Sequence, residues 1–220
     1  MERSSRPRVK ICCIGSAEEA RAAVRAGASA LGFVSEMPSG PGVIAEELIA
    51  EIVARVPPAV ATFLLTCRQD VDSIVEQQRR TRANTLQLCD RVEPGAHEKL
   101  RERLPGVRVV QVIHVAGEES VEEAERVAPH VDAVLLDSGN QKLAVKELGG
   151  TGRTHDWDLS LRVRERVGVP VFLAGGLNAS NVSEAVRRVG PFGVDVCSGV
   201  RTDGRLDAGK LEGFFRALPL

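Results

Sequence analysis

Apolar residues fall along this chain in two kinds of run. Short continuous stretches of Val, Leu, Ile and Ala alternate with longer ones in which apolar positions recur every three or four residues. The first kind predicts buried strands and the second amphipathic helices. Residues 9–14 form the first continuous run, broken only by Lys10 and ended by Gly15-Ser16. Ser16 and Glu19 have the spacing of a capping box, with Ala20, Ala23 and Val24 on one face of the helix and Gly27 as its stop. Further strands are predicted at 31–34, 60–65, 85–88, 107–113, 131–136, 171–173 and 193–196. Helices are predicted between and after them at 45–56, 71–82, 97–104, 121–127, 158–167, 180–189 and 210–217. Residues 35–42 are rich in Gly and Pro, and 138–155 form a long loop.

That is strand and helix in strict alternation, eight times. An open doubly wound sheet accepts the same alternation but usually with fewer units. Eight units in 220 residues favour an α/β fold of one domain, a (β/α)8 TIM barrel over 9–220, preceded by an irregular arm at 1–8. Composition narrows the function more than the fold. The net charge is −1, aromatics are 3% and Tyr is absent, so neither a basic surface nor base-stacking platforms point to nucleic acid. No run approaches the roughly 20 apolar residues of a membrane span, and the basic N-terminus has no apolar run behind it. The five cysteines are odd in number and show no CxxC spacing. Cys12 and Cys13 are adjacent, which is poor disulfide geometry, so free thiols in a cytoplasmic protein are expected.

In such a barrel, reactive groups gather where strands end on the C-terminal face. The strand ends supply Cys12, Cys13, Gln87, Cys89, Asp137 and Asp195. Asp137 follows three apolar residues. Partial desolvation there raises a carboxyl pKa and suits a general acid; the alternative is a carboxylate that caps a loop. Cys12 shares a strand face with Lys10. A neighbouring cation favours a thiolate, the form that accepts a proton; the alternative is a buried structural cysteine. Alternation points Cys13 the other way, into packing. Leu173-Ala174-Gly175-Gly176-Leu177-Asn178 and Val194-Asp195-Val196-Cys197-Ser198-Gly199-Val200 each read as a strand that stops at small residues. They suit the phosphate site after the seventh and eighth strands, or else are ordinary packing turns. Gly149-Gly150-Thr151-Gly152 resembles a phosphate loop, with a flexible loop as the alternative. His155 is either an acid–base group or a helix cap, while His97 and His114 have no partner pattern. Arg153 and Arg201 flank these loops, with solvated surface as the alternative for both.

These blocks together resemble phosphoribosylanthranilate isomerase, the (β/α)8 enzyme of tryptophan biosynthesis. The resemblance is colinear from Val9 to Phe215. It is carried by Val9-Lys10-Ile11-Cys12, Leu86-Gln87-Leu88, Leu135-Leu136-Asp137, the GGTG segment with Asp156-Trp157, and the two glycine-bearing strand ends. The resemblance implies an Amadori rearrangement without cofactor or metal. It implies Asp137 as the acid that opens the ribose ring and Cys12 as the base that takes the C2 proton. It places Lys10, Gln87, Gly150, Thr151, Gly152, Gly175, Gly176, Asp195, Ser198, Gly199 and Arg201 around the phosphorylated substrate. No partner other than that small molecule is expected, and the protein is expected to be a monomer or homodimer. The chain departs from the family pattern in four places. Cys13 replaces a usual Gly, Cys89 replaces a His, and Arg201 stands where an acidic residue is common. Residues 37–42 lack the Arg that meets the anthranilate carboxylate, so Arg201, or secondarily Arg153, is expected to take over that contact. Alternatives are a phosphosugar isomerase of other substrate, a catalytically silent phospho-ligand barrel, and a metal-dependent epimerase.

Overall fold

The computed structural model describes residues 6–139, 143, 145–150 and 152–219. Eight parallel strands close a barrel in chain order. They are β1 (Arg8–Ile11), β2 (Ala30–Val34), β3 (Ala61–Thr66), β4 (Thr85–Leu88), β5 (Arg108–His114), β6 (Ala133–Asp137), β7 (Val171–Leu173) and β8 (Gly193–Val196). The intervening and final helices are α1 (Ala17–Ala26), α2 (Glu46–Val53), α3 (Val71–Thr81), α4 (Ala96–Arg103), α5 (Glu118–Val127), α6 (Trp157–Arg166), α7 (Val182–Val189) and α8 (Ala208–Ala217). Closure comes from β1 against β8, with Lys10 opposite Asp195 and Ile11 opposite Val196. The (β/α)8 expectation therefore holds. Among the described residues, no helix is long and apolar enough to cross a membrane.

The core has two shells. The outer one, between barrel and helices, is aliphatic, with Ile11, Leu31, Ile49, Leu64 and Leu136 fully covered. The inner one fills the barrel with Ala30, Phe63, Val110, Val112, Leu135 and Phe172. Phe63 and Phe172 meet edge to face with ring centroids 5.9 Å apart, and Phe172 meets Phe192 likewise at 5.4 Å.

Several boundaries shift, and each has a local cause. The first strand stops at Ile11 rather than Ile14, because Cys13 takes a positive φ of 61° that no strand accepts. Arg8 belongs to β1 and not to the arm expected at 1–8, of which residues 1–5 lie outside the described residues. The second helix stops at Val53, ahead of Pro57-Pro58. The sixth strand begins at Ala133, after a single 3-10 turn at Ala128–His130. An unexpected two-residue hairpin, β9 (Arg201–Thr202) with β10 (Arg205–Leu206), precedes α8. At α1, Ser16 Oγ accepts from the Glu19 amide at 3.2 Å as predicted. The return bond differs: Glu19 Oε2 accepts from Gly15 N at 3.0 Å.

Candidate active site

The chain beyond Ile11 keeps barrel register for one more residue, since Cys12 N donates to Val196 O at 2.9 Å. Cys12 therefore turns inward on the same side as Lys10. A Cβ built on Gly32 would lie 2.9 Å from both Cys12 Sγ and Lys10 Nζ, so the bare glycine of β2 makes room for the pair. Lys10 is fully buried. Its Nζ donates to Asp195 Oδ2 at 2.8 Å and stands 5.3 Å from the Phe63 ring centroid. Burial pushes the ammonium pKa down, but the Asp195 carboxylate more than reverses this and the net shift is upward.

Asp137 ends β6, opposite His114 of β5 in the strand register. Its Oδ1 accepts from Ser138 N at 2.7 Å. Burial raises its carboxyl above the usual range, against the pull of the Ser138 amide and of His114. The loop after β6 crosses directly over it. Gly149 has φ 128°, and a Cβ there would sit 2.6 Å from Asp137 Oδ2, so the crossing requires glycine.

Cys12, Asp137, Gln87 and Asp195 line one cleft at the C-terminal end of the barrel, of about 680 Å³ counting its open mouth. Gly150 and Gly152, then Gly175 and Gly176, then Ser198 complete its wall from three successive loops. Gly199 stands behind Ser198 against Leu177 O, in the single 3-10 turn Ser198–Val200. Thr151 lies outside the described residues. The Asp195 Oδ1 atom is buried with no hydrogen-bond partner. No three His, Cys, Asp or Glu side chains among the described residues are grouped to hold a metal.

Three expectations need correction. Lys10 is absent from the cleft wall and fully covered, beside Cys12 and Asp195. Cys13 does not point away into packing. Strand alternation ends at Cys12, and Cys13 lines the cleft with its Sγ 2.6 Å from Cys197 Sγ. Arg201 is turned from the cleft onto Glu19, at 3.0 and 3.1 Å, and onto the carbonyl oxygens of Cys13 at 2.5 Å and Cys12 at 3.2 Å. An acid at position 19, within reach of residue 201 only in three dimensions, is what claims it. Arg153 pairs with Glu147. Among the described residues, no Lys or Arg lines the cleft.

The remaining candidates are quieter. Asp156, not His155, caps α6, accepting from Asp158 N at 2.8 Å. Burial pushes His155 down to about 4, and its Nε2 lies 2.8 Å from Ser160 Oγ. His97 bonds to Gln111 at 3.1 Å. Cys89 is buried, and burial pushes its thiol up. His114 has no partner pattern in the sequence, and its place at the end of β5 is the signal that marks it. Its Nε2 meets Cys89 O at 3.0 Å beside Asp137. The cleft thus combines a thiol above a buried cation, a carboxyl raised towards its protonated form, and glycine-rich turns able to present backbone N–H groups to an anion.

A family model described as N-(5'-phosphoribosyl)anthranilate (PRA) isomerase matches residues 9–217. An N-(5'-phosphoribosyl)anthranilate isomerase of Halorubrum lacusprofundi is 40% identical over 202 residues, covering 91% of each chain. That of Methanocella arvoryzae is 34% identical over 198 residues, 90% of this chain and 91% of the other. The crystal structure of phosphoribosyl anthranilate isomerase from Thermotoga maritima superposes with a TM-score of 0.82 at 32% identity, covering 96% of this chain and 98% of that one. A phosphoribosyl anthranilate isomerase in complex with reduced 1-(o-carboxyphenylamino)-1-deoxyribulose 5-phosphate superposes at 0.80 with 30% identity, over 96% and 97%. By sequence over nearly its whole length, and by fold, the chain belongs to the phosphoribosylanthranilate isomerase family.

Proposed function

We propose that the protein isomerises N-(5-phosphoribosyl)anthranilate to the corresponding 1-amino-1-deoxyribulose phosphate, an Amadori rearrangement. The observation that carries this reading is the meeting of Cys12 and Asp137 in one cleft walled by three glycine-rich turns. A related enzyme of the same fold holds a reduced carboxyphenylamino-deoxyribulose phosphate, which has the skeleton of that product. Asp137, with its raised carboxyl pKa, gives its proton to the ribose ring oxygen. The C1–O bond breaks as the amine lone pair forms a C=N bond. Cys12, as thiolate, takes the C2 proton, and the freed pair makes the C1=C2 bond of an enolamine as the C=N π pair returns to nitrogen. Tautomerisation then places the ketone at C2. Lys10 supports the thiolate from beneath, shared with Asp195. Gly150, Gly152, Gly175, Gly176, Ser198 and Gly199 form the phosphate cradle, with Thr151 between two of them in sequence. Gln87 and the unpartnered oxygen of Asp195 are placed to meet sugar hydroxyls. The protein acts in the cytoplasm as a monomer or homodimer, with no metal or cofactor.

Complementation of a tryptophan auxotroph lacking this isomerase tests the reading. Growth with the wild type, lost with Asp137→Asn, supports it. One observation favours a second reading: the described cleft wall has no cation for an aromatic carboxylate. A phosphoribosyl amine without that carboxylate would suit it. A folded protein that binds phosphate esters but gives no growth favours this alternative.

A further inference from the structure

We propose that Cys13 and Cys197 form a modification site, at which a hydroperoxide joins the two thiols into an intramolecular disulfide between the ends of β1 and β8. The two Sγ atoms are 2.6 Å apart, closer than unbonded sulfurs normally stand and about half an ångström from the ~2.05 Å of a disulfide. They belong to residues 184 positions apart, just beyond the ends of two paired strands, so bonding them does not require the awkward ring that Cys12 and Cys13 would form.

The backbone provides a second, independent observation. Cys13 holds φ 61°, a left-handed conformation that side chains other than Gly, Asn and Asp rarely take. The Arg201 guanidinium, anchored by Glu19, grips the Cys12 and Cys13 carbonyls and fixes that peptide. The result of this strained placement is one sulfur set against another. An outlier held in place by its surroundings points to use.

Both thiols line the open cleft, and Cys197 is half-buried, so a small oxidant reaches them. The pair is also unequal. Its hydrogen bond with Cys13 pulls the Cys197 thiol pKa down, and the Arg201 charge adds to this against burial. The bonds to Cys12 and Cys197, together with burial, push Cys13 up. Cys197 is therefore the attacking thiolate. It attacks the distal peroxide oxygen, an S–O bond forms as the O–O bond breaks, and the alkoxide leaves as alcohol (water, for hydrogen peroxide) after taking a proton. The sulfenic acid on Cys197 is then attacked by the Cys13 sulfur. The S–O bond breaks, and hydroxide leaves as water with the Cys13 proton. The two thiols lose two electrons and two protons, and the hydroperoxide gains them.

The test treats the reduced wild-type protein with hydrogen peroxide, blocks the remaining thiols and digests with trypsin. Expected are the loss of two of the five thiols, their return with dithiothreitol, and a linked pair of peptides carrying Cys13 and Cys197. The link persists in Cys12→Ser and Cys67→Ser and is absent from Cys197→Ser and Cys13→Gly. Glycine suits the backbone at 13, so that variant folds. Retention of all five thiols, sulfinic acid on Cys197 without a link, or a link that vanishes in Cys12→Ser and so runs through Cys12 would each overturn the proposal. The readout is the bond itself, so it stands apart from whether the enzyme isomerises its substrate.

Discussion

Lys10 of β1 and Asp195 of β8 face each other in register and join at 2.8 Å inside the barrel wall. The ion pair and the strand pairing that closes the barrel occupy the same place, so disturbing one disturbs the other.

Removing one partner is expected to cost far more than removing both. Asp195→Asn strands a fully covered ammonium, at about 3–5 kcal/mol. Lys10→Met with Asp195→Asn should recover most of that, and urea unfolding of the single and double variants checks it. The sign of the pH dependence follows from Lys10, whose folded pKa is raised above its ordinary 10.5. Its contribution to stability is complete below about pH 10.5 and fades as pH rises towards the folded value. Wild type should therefore lose stability in alkali beyond what Lys10→Met loses.

Cys12 and Cys13 separate base chemistry from packing. Cys12→Ser should lower kcat by about 10²–10⁴, because a serine hydroxyl hardly ionises near neutral pH. Cys13→Gly should leave kcat nearly unchanged and relieve the left-handed backbone. Equal losses at the two positions in steady-state assays would remove Cys12 from the base role.

Asp137 should trade stability for activity. Its raised pKa means that the folded state holds a proton more tightly than the unfolded one. Ionisation therefore weakens the fold as pH rises through the folded value. Asp137→Asn is expected to abolish turnover and to gain about 1 kcal/mol, roughly 2–4 °C in Tm for a chain of this size. In wild type, kcat should fall on the alkaline side as the acid loses its proton. A pH–rate profile flat in that region would contradict its role.

Arg201 is expected to behave as a clamp on the fold. Arg201→Ala removes the guanidinium shared by Glu19 and the carbonyls of Cys12, Cys13 and Gly204, which should cost about 1–3 kcal/mol by thermal unfolding. The KM for a carboxylate-bearing substrate should then change no more than the affinity for inorganic phosphate. A selective rise in KM at unchanged stability would return Arg201 to the substrate.

Restoring a cation to the loop after β2 should require two changes. A Cβ on Gly42 would stand 2.5 Å from the Cβ of Cys13. Gly42→Arg alone should therefore cost stability, and Cys13→Gly should relieve part of the loss. Additive effects in a double-mutant cycle would show that the two positions are independent.

The alternation of apolar runs and helical periods was enough to read the barrel, because each strand is buried on both faces and each helix on one. Cys12, Asp137 and the glycine turns were legible for a related reason: strand ends and small residues mark the C-terminal face. What could not be read were contacts between distant positions. Nothing local tells Arg201 that Glu19 is within reach, or Lys10 that Asp195 will bind it. Alternation does not describe Cys13, because the backbone turns over at that residue, with a φ of 61°.

The seam between first and last strands also sets a timetable. Lys10 leaves the ribosome 185 residues before Asp195, about 10–40 s at ordinary rates of synthesis. For that interval the chain carries a cation without its partner and a first strand with one edge open. Seven of the eight strands can be made without the cleft existing, since Ser198 and the floor beneath Cys12 arrive together at the end. A chain that ends before residue 195 therefore lacks part of the cleft wall and leaves the first strand with an unpaired edge.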